Sequence, residues 1–395
     1  MAVPALKYVA VVVAALVLTG CGADAGSGRA GPSNLAPEAA TTNLAPEAAT
    51  TDPAPEAATT TTTALCPPAP IEQRAASVLM LGIGNATTAE AALPARLSAL
   101  GVGGVILLGV NVVDAAQLRS LIDGMRRKAP RHLLVAVDEE GGRVSRLKPI
   151  IGPTPSARSL GQRPLEEIAG VAAQRGTVLR DLGFDVVLAP VVDADGGPAN
   201  GAIGDRAFAT SPADAGARAA AFAEGLRPTG VAAAAKHFPG QGGLADSHDG
   251  AVVSDAPMAQ VARAAADGFG PVLRAGVAAV MMSHVTFSAL GSRPASIEPA
   301  AYRLLRSMGF EGVAITDAVG MSAIGNQWSL GEAAVLALAA GADLVLATPA
   351  DRAAAMRDAI TAAVADGRLS EARLNEAVRR VAALGGQRPS ALLCA

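Results

Sequence analysis

The sequence predicts an α/β fold, a (β/α)8 barrel of the TIM type, on three observations. Eight apolar, β-branched runs recur after residue 67, and segments rich in Ala, Leu and Arg separate them. Continuous apolar strands that alternate with helices are typical of parallel strands covered on both faces. Charged residues follow several of these runs, as expected where a barrel opens at the C-terminal ends of its strands. The roughly 330 residues that carry the pattern suit one domain, 67–395.

The predicted strands are short and largely free of charge until their last residues. In chain order they are Ser77–Gly84, Val102–Gly109, Leu133–Glu140, Asp185–Asp193, Val231–Phe238, Val277–Val285, Val313–Val319 and Asp343–Thr348. The predicted helices between them include Glu90–Leu100, Ala115–Lys128, Pro164–Leu182, Ala213–Leu226, Met258–Ala275 and Leu330–Ala340. A doubly wound open sheet is the alternative. It usually has a glycine-rich phosphate turn after the first strand, and Leu81 to Asn85 has too few glycines for one.

Residues 1–21 predict a lipoprotein export signal. Lys7 gives a short charged start, and the apolar run from Val9 to Leu18 is too short to span a bilayer. The ending Leu18-Thr19-Gly20-Cys21 resembles a bacterial lipobox, in which Cys21 is lipidated and becomes the mature N-terminus. We therefore expect an exported protein anchored to the outer face of the cell membrane. The alternative is an ordinary secretory signal with a chance cysteine.

Residues 22–66 predict a disordered tether. Asn34–Thr42 recurs verbatim at Asn43–Thr51 and, altered at its start, at Asp52–Thr60. A segment of Pro, Ala, Thr and Glu without large apolar residues cannot bury enough surface to fold. The domain would thus be free to move above the membrane on this segment.

The two cysteines beyond the lipobox, Cys66 and Cys394, stand at the two ends of the predicted barrel domain. An exported protein meets oxidising conditions, which favour bridging of an even pair. The first and last strands of a closed barrel are neighbours, so its ends lie close together. We therefore predict a Cys66–Cys394 disulfide.

Composition limits the partners. The formal net charge is −3 and there are no basic clusters, which argues against nucleic acid. Aromatic residues make up only 3% of the chain, too few for a long sugar-stacking cleft, so the substrate is expected to be small. We expect a monomer.

Ionisable residues cluster at five successive strand ends, whereas the opposite ends are mostly Gly and Ala. The clusters are Asp138 to Arg146 after the third strand, Asp193 and Gly204 to Phe208 after the fourth, Lys236-His237 and the loop to His248 after the fifth, Ser283-His284 after the sixth, and Thr316-Asp317 after the seventh. Residues placed this way converge on one mouth of a barrel, where the chemistry of the fold is found.

Five motifs in these clusters resemble glycoside hydrolase family 3, and within it the single-domain bacterial exo-β-N-acetylglucosaminidases that trim peptidoglycan fragments. They are Asp-x-Glu-Gly-Gly-Arg-Val-x-Arg at 138–146, Gly-Asp-Arg-x-Phe at 204–208, Lys-His-Phe-Pro-Gly at 236–240, Asp-Ser-His at 246–248 and Thr-Asp-x-x-x-Met at 316–321. The resemblance extends from about Ile71 to Leu384. It implies hydrolysis of a terminal GlcNAc with retention, no metal and no organic cofactor.

The resemblance also implies roles for individual residues. Asp317 matches the nucleophile, and His248, oriented by Asp246, matches an unusual histidine acid/base. The residues that match the GlcNAc pocket are Asp138, Arg146, Arg206, Lys236 and His237. One departure concerns Gln241, where the family often has His, and it affects substrate detail more than the chemistry.

Other interpretations remain open. A histidine acid/base would repel phosphate less than a carboxylate, which allows a phosphorylase. A metal-dependent hydrolase and a lipid-anchored sugar-binding protein are further candidates. Asp317 could instead cap a helix, Arg206 could pair with Asp205, and His284 would line the pocket at most. His132 is expected to be structural, and no role is assigned to Trp328 or Tyr302.

Overall fold

Eight parallel strands form a single barrel in the computed structural model, which describes residues 68–348, 350–386 and 390–393. The strands are β1 (Leu79–Gly82), β2 (Gly104–Leu107), β3 (Leu134–Val137), β4 (Val186–Val187), β5 (Ala232–Phe238), β6 (Ala279–Met282), β7 (Val313–Thr316) and β8 (Val345–Ala347). Each lies within a run of the sequence that predicted it, so the (β/α)8 barrel is confirmed. The signal, the tether and all three cysteines lie outside the described residues.

Hydrogen bonds between the last and first strands close the barrel. β1 pairs with β8 in parallel, with Leu79 opposite Val345. β7 meets β8 through a parallel bridge between Ile315 and Leu344, and the Thr316 backbone N–H donates to the Leu344 carbonyl at 3.1 Å. Because β8 contacts β1 on one side and β7 on the other, the two outer strands of the sheet meet each other, and the open doubly wound sheet is wrong.

One long helix follows each strand and covers the outside of the barrel. These helices are α1 (Ala92–Leu100), α2 (Ala115–Lys128), α3 (Leu165–Leu182), α4 (Pro212–Leu226), α5 (Met258–Arg274), α6 (Pro299–Ser307), α7 (Leu330–Ala340) and α8 (Ala353–Ala365). Further helices span Ile71–Ser77, Lys148–Ile151, Ala157–Leu160, Ser322–Gly325, Glu371–Leu384 and Ser390–Leu393. Within the described ranges, no helix combines the length and apolarity needed to span a bilayer.

Local sequence explains where several helices begin. The Asp114 carboxylate accepts the Gln117 backbone N–H at 2.9 Å and so caps α2. Ser329 caps α7 in the same way through the backbone N–H of Glu332, at 3.2 Å. Such caps satisfy N–H groups that have no partner within the helix.

The core has two layers. Inside the barrel, alternate strand residues such as Met80, Leu134, Val186 and Ile315 pack against one another. The larger layer lies between the strands and the surrounding helices and includes residues such as Phe222 and Phe269. The interior is therefore filled with side chains, and open space remains only where the strands end.

The N-terminal ends of the strands are not merely Gly and Ala, as the sequence suggested. Asp343 is fully buried before β8, where its carboxylate pairs with arginines from α6 and from the helix Glu371–Leu384. Asp185, before β4, pairs with Arg126 at 2.7 Å and with Nε2 of His132 at 3.0 Å. His132 therefore has the expected structural position.

Candidate active site

The C-terminal ends of the strands enclose a cavity of about 230 Å³. All eight residues that the sequence assigned to catalysis or sugar binding line it, and the list is Asp138, Arg146, Arg206, Lys236, His237, Asp246, His248 and Asp317. Its inner part is apolar, with side chains such as Ile106, Leu188, Met281 and Leu346. The cavity is smaller than typical pockets for drug-sized ligands and suits one small polar molecule.

A cluster of four charges forms one wall of the cavity. Lys236, near the end of β5, donates to Asp138 Oδ1 at 2.7 Å and lies 2.6 Å from Glu140 Oε1. Arg206 holds the same Glu140 carboxylate with two hydrogen bonds, from Nε at 2.8 Å and from Nη2 at 2.9 Å. Bidentate pairing of this kind fixes the orientation of the guanidinium group. Arg206 therefore does not pair with Asp205, which instead contacts Arg143 at 3.0 Å.

The charges in this wall stabilise one another. Burial alone would raise the pKa of the Glu140 carboxyl, but Lys236 and Arg206 lower that pKa to about 2. Burial opposes protonation of Lys236, yet Asp138 and Glu140 raise its pKa. Both groups are consequently charged at neutral pH, and their remaining hydrogen-bonding capacity is available to a polar ligand.

Asp317 follows β7 directly and reaches the cavity with a side chain that is 15% exposed. Its Oδ1 accepts the Ala318 N–H at 2.7 Å, and its Oδ2 lies 3.9 Å from Nε2 of His237. Burial would raise the pKa of this carboxyl, but the rings of His284 and His237 and the Ala318 N–H lower it. The nearest helix, Ser322–Gly325, begins after Met321 instead, so Asp317 is not its N-cap.

Asp246 and His248 form a pair on the loop after β5. The Asp246 Oδ1 atom accepts the His248 backbone N–H at 2.9 Å and lies 2.7 Å from Nδ1 of the same residue. Burial would raise the pKa of Asp246, but these hydrogen bonds from His248 lower it. The His248 side chain is 65% exposed, so its ring is accessible at the entrance of the cavity.

Two residues of the site received no role from the sequence. Glu140 belongs to the motif that contains Asp138, and its spacing could have indicated that it belongs to the same wall. Asp193 stands after β4 and is fully buried in its side chain; its Oδ2 lies 2.6 Å from Nδ1 of His237. In the sequence, the signal for Asp193 was its position at a strand end.

Arg146 differs from the other cations of the cavity. Within the described residues it makes neither a salt bridge nor a hydrogen bond, and its buried Nε atom has no partner. Its guanidinium group is therefore available to a ligand. Gln241, also in the lining, is buried, and its side-chain amide makes only a long contact of 3.4 Å to the Ala245 carbonyl.

The remaining candidates lie outside the cavity. His284 is fully buried behind Asp317, between the Ser296 hydroxyl at 2.7 Å and the Ala318 carbonyl at 3.0 Å, so it does not line the pocket. Trp328 lines a separate cavity between α7 and α8, and the Tyr302 hydroxyl donates to the Ser296 carbonyl in the core. In the part of the chain that the structure describes, no three His, Cys, Asp or Glu side chains are grouped to hold a metal ion.

Comparison with known proteins places these features in a family. The family description "Glycosyl hydrolase family 3 N terminal domain" matches residues 71–384. The chain is 36% identical to beta-hexosaminidase LpqI of Mycobacterium tuberculosis over 328 residues, which cover 80% of this chain and 82% of that protein.

Two solved structures show the same similarity. A glycosyl hydrolase of family 3 from Mycobacterium smegmatis has 38% identity and a TM-score of 0.74, covering 80% of this chain and 97% of that one. A family 3 beta-N-acetylglucosaminidase from a Paenibacillus species has 31% identity and a TM-score of 0.76, covering 82% of this chain and 63% of that one.

Proposed function

The chain belongs to glycosyl hydrolase family 3 and is a glycoside hydrolase, and we propose that it is a retaining exo-β-N-acetylglucosaminidase, a β-N-acetylhexosaminidase that acts on peptidoglycan fragments. The observation that carries the proposal is the joint presence, in one small cavity, of a carboxylate with a lowered pKa and an aspartate–histidine pair. Relatives named beta-hexosaminidase and beta-N-acetylglucosaminidase support an N-acetylated amino sugar as the group released.

The size of the cavity supports action at a chain end. Its inner part is lined by buried apolar side chains, and the exposed His248 stands at the side from which a sugar would enter. The polar wall of Asp138, Lys236 and Arg206 offers charged donors and acceptors to sugar hydroxyls, and Arg146 offers a free guanidinium group. One non-reducing terminal GlcNAc would fill this space, and the remainder of the glycan would extend past the entrance.

Asp317 would act as the nucleophile. Its carboxylate would attack the anomeric carbon as the bond to the glycosidic oxygen breaks, and protonated His248 would give its proton to that oxygen. The aglycone would then leave as an alcohol, with GlcNAc joined to Asp317 as an ester. Water would attack the same carbon, give a proton to His248 and release Asp317, so the product keeps the β configuration.

Histidine suits the acid/base role at neutral pH. Its ordinary pKa lies near the working pH, where a group can both give and accept a proton. The Asp246 carboxylate, at 2.7 Å from Nδ1, would stabilise the protonated ring. The other nitrogen, Nε2, would then be the atom that exchanges a proton with the substrate. After proton transfer the histidine is neutral, and a neutral ring would repel phosphate less than a carboxylate would. Phosphorolysis is therefore the second candidate.

The proposal includes a cellular location. The lipobox at Cys21 supports an exported lipoprotein on the outer face of the cell membrane, where the repeats of residues 22–66 would give the barrel reach towards cell-wall fragments. The test is membrane fractionation. Cys21→Ser should move the protein from the membrane to the soluble fraction, and retention of that variant in the membrane would contradict lipid anchoring.

The test of the activity uses the full-length protein in detergent and muropeptides that end in GlcNAc. Mass spectrometry with and without inorganic phosphate should show free GlcNAc in both conditions. GlcNAc 1-phosphate as the main product with phosphate would favour the phosphorylase. Absence of both products on muropeptides and on chromogenic GlcNAc substrates would favour a sugar-binding protein.

A further inference from the structure

A buried carboxylate next to the cavity has no part in the proposed chemistry. Asp193 follows β4, and its side chain has no exposed surface. It accepts three N–H groups: the His237 backbone N–H at 3.1 Å and His237 Nδ1 at 2.6 Å, both at Oδ2, and the Gln241 backbone N–H at 2.6 Å, at Oδ1. Among the described residues, neither Lys nor Arg forms a salt bridge with it.

These contacts determine which nitrogen of His237 carries a proton. The carboxylate at 2.6 Å is an acceptor, so Nδ1 must be the donor. The other nitrogen, Nε2, then faces the cavity, 3.9 Å from Oδ2 of Asp317. A sugar hydroxyl beside the nucleophile would meet this nitrogen.

The buried His284 shows the opposite arrangement in the same barrel. Its Nε2 faces the Ala318 carbonyl, which can only accept, and its Nδ1 faces the Ser296 hydroxyl. Burial lowers the pKa of His284, which favours a neutral ring with its proton on Nε2. The two histidines near Asp317 are therefore expected to carry their protons on different nitrogens.

The third contact of Asp193 reaches the acid/base loop. Gln241 begins the segment that leads to Asp246 and His248, and its N–H is held by Oδ1 of Asp193. The next residue, Gly242, runs so close to the Ala194 carbonyl that a Cβ atom would lie 1.8 Å from its oxygen. The start of the loop is thus fixed against the segment that follows β4.

We propose that Asp193 is a positioning residue that sets the proton of His237 on Nδ1 and fixes the origin of the loop that carries His248. It would couple the sugar-binding side of the pocket to the acid/base side through one carboxylate. The kinetic part of this inference rests on the proposed glycosidase function. The position of the proton on His237 does not depend on that function, so an experiment can contradict the positioning role and the glycosidase function separately.

The first experiment reads the proton position directly by NMR of the full-length protein labelled with 15N-histidine. The chain has only four histidines, and single His→Gln variants assign their signals. His237 should have a protonated Nδ1 at neutral pH in the wild type, whereas in Asp193→Asn that proton should be lost or shared with Nε2. An unprotonated Nδ1 in the wild type would overturn the proposal whatever the enzyme hydrolyses.

The second experiment is kinetic and uses Asp343→Asn as the matched control, because that residue is an equally buried aspartate at the opposite end of the barrel. Asp193→Asn should lower kcat/KM about 10- to 100-fold, the range typical of carboxylates that orient histidines in metal sites. Most of this loss should disappear when His237 is already Gln. Independent, additive losses from the two substitutions, or an equal loss in Asp343→Asn, would show a merely structural role.

Discussion

The two ends of the barrel carry the same type of buried ion pair and use it differently. At the N-terminal end, Asp343 lies 2.7 Å from Arg306, 2.6 Å from Arg373 and 3.2 Å from Arg380. At the C-terminal end, Glu140 is held by Arg206 and Lys236 at similar distances. Neither carboxylate shows appreciable exposure.

The difference lies in what the partners face. Around Asp343, the arginines also bond to backbone carbonyls, as Arg306 does to Phe310 and Gly312, so their donors are used within the protein. Around Glu140, the pairs border a cavity that also contains Asp317 and the free guanidinium of Arg146. A buried ion pair alone therefore does not mark a functional site. A functional site is indicated by polar groups that border an open cavity and still have hydrogen-bonding capacity for a ligand.

The largest effect is expected at Asp317, in the end of the barrel that carries the chemistry. Asp317→Ala should lower kcat about 10⁴-fold or more on every β-GlcNAc substrate, because the covalent step loses its nucleophile. The measurement is the steady-state rate on a nitrophenyl substrate, with circular dichroism to confirm folding. Substantial residual turnover in a folded variant would remove Asp317 from this role.

The second effect depends on the leaving group. His248→Ala should lower kcat/KM by about 10²-fold or more on a GlcNAc disaccharide and much less on a nitrophenyl glycoside, which needs little proton donation. Asp249→Ala is the control, since this exposed neighbour on the same loop does not line the cavity. Equal losses on the two substrates would contradict an acid/base role.

The sequence predicted the strands and the cavity better than it predicted the buried ion pairs at the two ends of the barrel. The apolar runs predicted all eight strands, and the motifs predicted eight polar residues that line the cavity, since both are local patterns. Neither Asp193 nor Glu140 received a role, because their importance lies in contacts with residues far along the chain, such as Arg206 and His237. The Asp343 cluster was missed for the same reason, because its arginines come from two separate helices.

The third prediction concerns Glu140→Gln, which removes the charge that Arg206 and Lys236 share. KM should rise roughly tenfold because both cations lose the partner that orients them. Stability at neutral pH should fall by about 3 kcal/mol, since one partner of a buried network is lost. Glu139→Gln is the matched control: this neighbour is also buried, and among the described residues its carboxylate accepts one hydrogen bond, from the Leu147 N–H at 3.0 Å.

The stability effect of Glu140 should depend on pH in a defined direction. Its pKa is about 2 in the folded protein against an ordinary 4.5, so its contribution is present above pH 4.5 and is lost as the pH falls towards 2. Denaturant unfolding at several pH values should show the wild type and Glu140→Gln converging in that window. A constant difference down to pH 2 would contradict the pairing.

The fourth prediction concerns the N-terminal end of the barrel, where the Asp343 cluster lies. Asp343→Asn leaves three arginines without their shared carboxylate, which should cost about 3 kcal/mol of unfolding free energy. For a domain of this size, the melting temperature should fall by roughly 4–5 °C. Both kcat and KM should stay unchanged below the melting transition, because the cluster does not border the cavity. An altered KM would show that the two ends are coupled.

The smallest effect is expected for the predicted Cys66–Cys394 disulfide, whose cysteines lie outside the described residues. Support comes from the chain next to them: the Ala69 N–H donates to the Leu392 carbonyl at 2.9 Å, so the two ends of the domain meet. Leu392 also lines a small cavity together with residues that precede β1, β2 and β3. This contact therefore lies at the N-terminal end of the barrel.

A bridge over such a long loop has an upper limit of about 5 kcal/mol by chain entropy. The existing contact between the ends already restricts part of that freedom, so Cys66→Ser should lower the melting temperature by only a few degrees and leave kcat/KM unchanged. Intact mass under non-reducing conditions, in a Cys21→Ser background, should show a protein two hydrogens lighter than the reduced form. Two thiols open to alkylation would exclude the bridge, and the backbone contact would then hold the ends together without it.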